Sequence, residues 1–295
     1  MISNKSEKEL NLKNIILIFL PVFISIVLQY LVNIIDVIIL FLANMASDDK
    51  TVRSRSIETI MNQSYNQPMN IAYMTLATHL VACVVFGIWY LKAKNITPSV
   101  TTAKTSLKKL FLTPIFLVIG GYAGQLMVDG VLNLCRPHFE ELFSEYDKMV
   151  SRVTGAQSSF IMLLAVFIIA PIGEELLFRG VVLHYSRKCL PSYGAIGFTS
   201  LLFGLYHGNI IQGVYAAILG FALGLLAYKC DSIIPGILLH MAINISIVFV
   251  PSVLFSTTIA SVITTIVSLM VFVAGIILTL KFYKHKLPDA ENSGM

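Results

Sequence analysis

From Ile15 to Ala43 the chain carries a single charged side chain, Asp36. A run of that length and apolarity is what a helix needs to cross a bilayer, roughly 18–25 residues. Further runs of this kind recur along the chain, and only 13% of its residues are charged, against about 25% in a soluble domain. Inside hydrocarbon the backbone must satisfy its own hydrogen bonds. The expected fold is therefore an all-α, polytopic membrane protein in one structural domain, because no polar stretch is long enough to fold by itself.

Eight transmembrane helices are expected: Ile15–Ala43, Asn70–Leu91, Leu110–Leu134, Gln157–Arg187, Ala195–His207, Ile211–Tyr228, Ile233–Val250 and Ser252–Tyr283. The loop Asn44–Pro68 is polar with room for a short amphipathic piece, and Asn95-Ile96-Thr97-Pro98 reads as a turn. The acidic stretch Arg136–Arg152 reads as an aqueous loop or surface helix. Along the chain, 1–154 supplies three helices and their loops, 155–250 the segment that carries the motifs, and 251–295 the last helix and tail. With Met1 inside, inner segments hold more than twice the Lys and Arg of outer ones, which orients both termini to the cytosol. The polar, lysine-bearing Met1–Asn14 precedes a run too long for a signal peptide, so the first helix is expected to stay uncleaved.

The net charge of +5 belongs to such loops and does not signal nucleic-acid binding. Cys83, Cys135, Cys189 and Cys230 are isolated, without the CxxC spacing of a metal or redox motif. They read as small packing residues. The partner this composition implies is the lipid bilayer.

Residues 170–179, Ala-Pro-Ile-Gly-Glu-Glu-Leu-Leu-Phe-Arg, interrupt the apolar pattern. Ionisable side chains at bilayer depth are costly and mark function by default. Glu175 and Arg179 are four apart and can pair on one helix face. Glu174 lies about 100° further round and is left without an evident partner. Two more polar sites lie beyond it, Phe203-Gly-Leu-Tyr-His207 and His240-Met-Ala-Ile-Asn244. Glu174 is 13 residues before Arg187, and His207 is 13 after Gly194, so each lies roughly 20 Å from the inner end of its helix. His240 and Asn244 are roughly 10 and 17 Å along theirs and share a face. The spacing therefore predicts one active layer on the fourth, fifth and seventh helices, reached from the cytosolic side.

No serine or cysteine nucleophile stands out at this layer. A carboxylate could act as general base on a water, an imidazole could hold that water, and a His with an Asn could stabilise an oxyanion. Such a set suits amide hydrolysis without a covalent intermediate.

Glu174-Glu175-x-x-x-Arg179, Phe203-x-x-x-His207 and His240-x-x-x-Asn244, in that order, resemble the three motifs of the CPBP (Abi-type) family of CAAX proteases and bacteriocin-processing enzymes. That family includes the Ras-converting type II CAAX prenyl endopeptidases. The resemblance covers about residues 155–250 and implies an eight-helix intramembrane glutamic endopeptidase. It makes Glu174 the water-activating base and His207 a holder of that water. His240 and Asn244 become the oxyanion hole, and Glu175, Arg179 and Phe203 play supporting parts. It implies no cofactor and, as partner, a membrane-associated peptide or protein substrate. The Glu174, His207 and His240 set also has the composition of a His₂Glu zinc site, so Zn²⁺ is the alternative to weigh, although no HExxH is present.

Other readings start from the same residues. A bacterial relative can keep the fold as a scaffold or a bacteriocin self-immunity protein. A transporter would use Glu174 and the histidines as a proton relay, but no internal repeat is visible. His79, Asp36 and Asp129 are isolated polar residues within helices, Asp36 and Asp129 pairing with one another or lining water. The fifth helix looks too short to span and is expected to turn at Gly208-Asn209. The setting expected for all of this is a bacterial cell membrane.

Overall fold

The computed structural model describes residues 11–94, 107–155 and 158–283. The turn expected at Asn95–Pro98, the first ten residues and the tail beyond residue 283 lie outside them. Among the described residues ten helices of eight or more residues occur and no strand. In chain order they are α1 (Leu12–Met45), α2 (Ile57–Asn66), α3 (Pro68–Ala93), α4 (Leu107–Cys135), α5 (Glu140–Thr154), α6 (Phe160–Cys189), α7 (Ser192–Tyr206), α8 (Ile210–Cys230), α9 (Ile234–Ser246) and α10 (Thr258–Phe282). Six of them, α1, α3, α4, α6, α8 and α10, are long and apolar enough to cross a membrane. The protein is an all-α integral membrane protein.

Local sequence sets the ends. The side chains of Asn11, Ser56, Ser159, Asn209 and Thr257 each accept a backbone N–H at the start of a helix, the usual role of an N-cap. Pro68 opens α3 at its first turn, where its missing N–H costs nothing. The last helix starts at Thr258 and not at the expected Ser252, because Ser252–Phe255 forms a 3₁₀ turn and Thr257 caps α10. Likewise α9 stops at Ser246, and Ile247–Phe249 continues as 3₁₀.

The chain forms two compact units. The first contains α1–α3 and α6. Asp36 of α1 accepts a hydrogen bond from the buried Ser64 hydroxyl of α2, which pins that short amphipathic helix to the first span. The second contains α4 and α7–α10. Its core is packed by Leu117, Leu223, Leu226, Leu239, Ile243 and Phe272. With lipid tails as apolar as leucine, van der Waals fit is what holds such helices together. In α4 the Gln125 amide donates to both Asp129 oxygens at 3.0 Å. Asp36 and Asp129 thus bond to Ser64 and Gln125, where the sequence suggested pairing with each other or with water.

Candidate active site

The first motif sits in a helix interrupted by two π segments. Within α6, Ala165–Ile169 and Leu176–Val182 are π-helical, and Ala170–Glu175 between them is α-helical. Pro171 has no N–H to offer the preceding turn, and membrane helices re-satisfy the freed carbonyls by adjustments of this kind. Short π segments inside α-helices are frequent at functional sites.

Glu175 is fully buried and its Oε1 accepts from Arg179 Nη1 at 2.8 Å. That is the i, i+4 pair expected from the spacing. Glu174, on the next face, is half-buried. Its charge interacts with Arg179 on its own helix and with His79 of α3, so Glu174 has partners that the spacing along the chain did not disclose. The contact with α3 is close at this point. A Cβ on Gly173 would lie 3.4 Å from Cys83 Sγ and 3.5 Å from the His79 carbonyl oxygen, and the Cys83 thiol donates to the Ile169 carbonyl at 3.6 Å.

The second and third motifs meet in the other unit. α7 has 15 residues, about 22 Å at 1.5 Å each, short of the ~30 Å hydrocarbon core. It ends at Tyr206, as the Gly208-Asn209 turn led one to expect. The His207 N–H bonds to the Gly204 carbonyl in a tightened last turn. Gly208 takes φ +68°, a conformation glycine adopts without a Cβ clash, and Asn209 caps α8 by accepting from Gln212 N.

This ending fixes the histidine. His207 Nδ1 lies 2.7 Å from the Phe203 carbonyl oxygen. A carbonyl only accepts, so Nδ1 carries the proton and Nε2 of the neutral ring is left as an acceptor. The Phe203 ring, 2% exposed, stands edge-on to both imidazoles. Its centroid is 4.7 Å from that of His207 and 5.7 Å from that of His240. Phe203 is therefore the element that joins the two histidines, through its carbonyl to one and its ring to both.

His240 is buried and Asn244 half-buried, one turn apart on α9. Ala242 and Ile243 of α9 lie against Gly121 of α4. By helix geometry His240 and Asn244 face roughly 120° away from the stripe Leu239, Ala242, Ile243. A Cβ at position 121 would collide with that of Ala242 and stand 3.0 Å from Ile243 N. Gly121→Ala is accordingly expected to push α9 outward at a cost of about 1–3 kcal/mol. It should lower any activity that depends on His240 and Asn244 while leaving the Glu175–Arg179 pair intact. Thermal unfolding and turnover of the reconstituted variant check this, and unchanged turnover would contradict it.

The structure thus brings Glu174, Glu175 and Arg179 together in one unit, and Phe203, His207 and His240, with Asn244 one turn further on, in the other. Among the described residues no group of three or more His, Cys, Asp and Glu side chains is placed to hold a metal ion. His79, read from the sequence as an isolated polar residue, lies on α3 where that helix meets Gly173 of α6.

Comparison with known proteins bears on the same segment. Residues 156–246 match the family described as type II CAAX prenyl endopeptidase Rce1-like. An uncharacterized 24.3 kDa protein of Escherichia coli is 30% identical over 126 residues, which is 41% of this chain. The chain spans 54% of that relative's length. No solved structure matches. The matched segment contains all three motifs, and over it the chain is similar to the Rce1-like type II CAAX prenyl endopeptidase family.

Proposed function

We propose that the protein is an intramembrane endopeptidase that hydrolyses peptide bonds of membrane-associated peptides or proteins near the cytosolic leaflet of a bacterial membrane. The observation that carries this reading is the family match over 156–246, the segment that includes Glu174, His207, His240 and Asn244. Glu174 takes a proton from a water, and the water oxygen adds to the scissile carbonyl carbon. His207 holds that water by accepting from it at Nε2, the nitrogen its bond to Phe203 leaves unprotonated. His240 and Asn244 donate to the oxyanion as it forms. Glu174 then returns the proton to the departing amine, and the C–N bond breaks. No acyl-enzyme is required, and no metal enters the cycle.

The test uses purified full-length protein in phospholipid vesicles with a prenylated CaaX peptide as probe, its products read by mass spectrometry. Cleavage is expected to persist after exhaustive chelation. Loss with chelator and recovery with added Zn²⁺ would replace the carboxylate mechanism by a metal-assisted one. A second experiment looks for native substrates by comparing membrane peptides from cells with the active protein and cells with Glu174→Ala.

A further inference from the structure

α3 and α6 end side by side. A Cβ on Gly180 would stand 3.0 Å from the Tyr90 ring, and the Trp89 indole N–H donates to the Tyr185 hydroxyl at 3.4 Å. Trp89, Tyr90, His184 and Tyr185 are all half-buried here. Trp and Tyr gather at the level of lipid headgroups, where an apolar ring and a polar edge are both satisfied. The proposed hydrolytic cycle uses none of them.

Four cations share this end: Lys92 and Lys94 where α3 stops, and Arg187 and Lys188 in the last turn of α6. The Lys188 ammonium lies 4.7 Å from the centroid of the Tyr185 ring, and that of Lys94 lies 5.6 Å from the centroid of Tyr90. The charges of Lys94, Arg187 and Lys188 all act on His184, whose ring stands edge-on to Tyr185 at 5.1 Å. A helix C-terminus attracts cations, but each is equivalent to only about half a negative charge. Two such ends offset about one of the four cations. Acidic side chains do not offset the rest. α3 has no Asp or Glu, and Glu175, the last acid of α6, is 12 residues before Arg187, about 18 Å along the helix. α1, which packs against the end of α6, has no acid before Asp36, and Asp36 is bonded to Ser64. The Tyr185 hydroxyl adds a donor. Its oxygen accepts from Trp89, and among the described residues its own O–H has no acceptor.

We infer that the joined ends of α3 and α6 hold the headgroup of an anionic phospholipid. Lys94, Arg187 and Lys188 surround its phosphate, the Tyr185 hydroxyl donates to a phosphate oxygen, and the Trp89 ring lies beside the upper part of an acyl chain. A phosphate held where two membrane-spanning helices end can lay its acyl chains along them, which no soluble anion can do. Each basic residue near the membrane surface contributes roughly fivefold to affinity for anionic lipid. The inference does not depend on the hydrolase reading.

Trp89 is the single tryptophan of the chain, so its fluorescence reports on this site without a label. Full-length protein is placed in phosphatidylcholine vesicles containing either phosphatidylglycerol or phosphatidylcholine with brominated acyl chains, and quenching of Trp89 measures which lipid lies beside it. Brominated phosphatidylglycerol is expected to quench as though bound at least roughly fivefold more tightly than brominated phosphatidylcholine. Lys94→Gln/Arg187→Gln/Lys188→Gln should bring that ratio close to one, and Tyr185→Phe, which removes only the donated O–H, should lower it. Lys50→Gln/Arg53→Gln/Arg55→Gln, which removes the same charge between α1 and α2, should keep it. Inorganic phosphate and soluble polyglutamate, added at matched ionic strength, should leave the quenching unchanged. Equal quenching by the two lipids overturns the inference. So does a preference that survives the first triple variant or is lost equally in the second. Displacement of brominated phosphatidylglycerol by inorganic phosphate or by polyglutamate would assign the patch to a soluble anion or an acidic peptide instead.

Discussion

Glu174→Ala is expected to abolish measurable cleavage while the protein still inserts and folds. The expected loss is at least the 10²–10⁴-fold, roughly, that a positioned general base contributes. Glu174 is half-buried and lies beside the pair that stabilises the helix locally, Glu175 with Arg179. Removing its carboxyl leaves that pair in place, so size-exclusion behaviour and helix content should match wild type. Glu174→Gln, which keeps the shape but cannot take up the proton, should be equally inactive. Full biological activity in either variant would favour a non-proteolytic scaffold or self-immunity protein that retains the family fold.

Arg179→Leu has the opposite signature, a loss of folded protein. The Arg179 and Glu175 side chains are 1% and 0% exposed. Breaking a buried pair by removing one partner costs about 3–5 kcal/mol, because the other charge stays buried without compensation. Replacing both partners with apolar side chains is often neutral or stabilising. Glu175→Leu/Arg179→Leu should therefore recover much of the folded yield that Arg179→Leu loses, measured by thermal unfolding in lipid or mild detergent. A double variant no more stable than the single one would show that the pair is not what sets the cost.

The sequence made the helices legible, since long uncharged runs have one stable form in a bilayer. It also disclosed the Glu175–Arg179 pair, which depends only on helical spacing, and the early end of α7 at Gly208-Asn209. Other features were hidden for specific reasons. The π segments on either side of Ala170–Glu175 leave no trace in an apolar pattern that fits α and π equally, although Pro171 marks where the ladder must adjust. The boundary between α9 and α10 was blurred because Ile247–Phe249 and Val253–Phe255 are apolar, and Pro251 with Thr257 was the better signal. Gln125 with Asp129 was readable as an i, i+4 pair and was missed. Ser64 with Asp36, and His79 with Glu174, depend on which helices pack together, and one sequence does not reveal that. Phe203 was read as a supporting residue of the second motif. Its carbonyl also sets the tautomer of His207, a consequence of how α7 ends.

The roles of Glu174 and His207 are most directly tested by measuring cleavage of one probe peptide by wild type, Glu174→Ala, His207→Ala and the double variant in the same vesicles. Groups that act together on one water are strongly non-additive. The double variant should then be no slower than the slower single variant. A double variant whose loss equals the product of the two single losses would contradict a shared hydrolytic step and separate the carboxylate from the histidine.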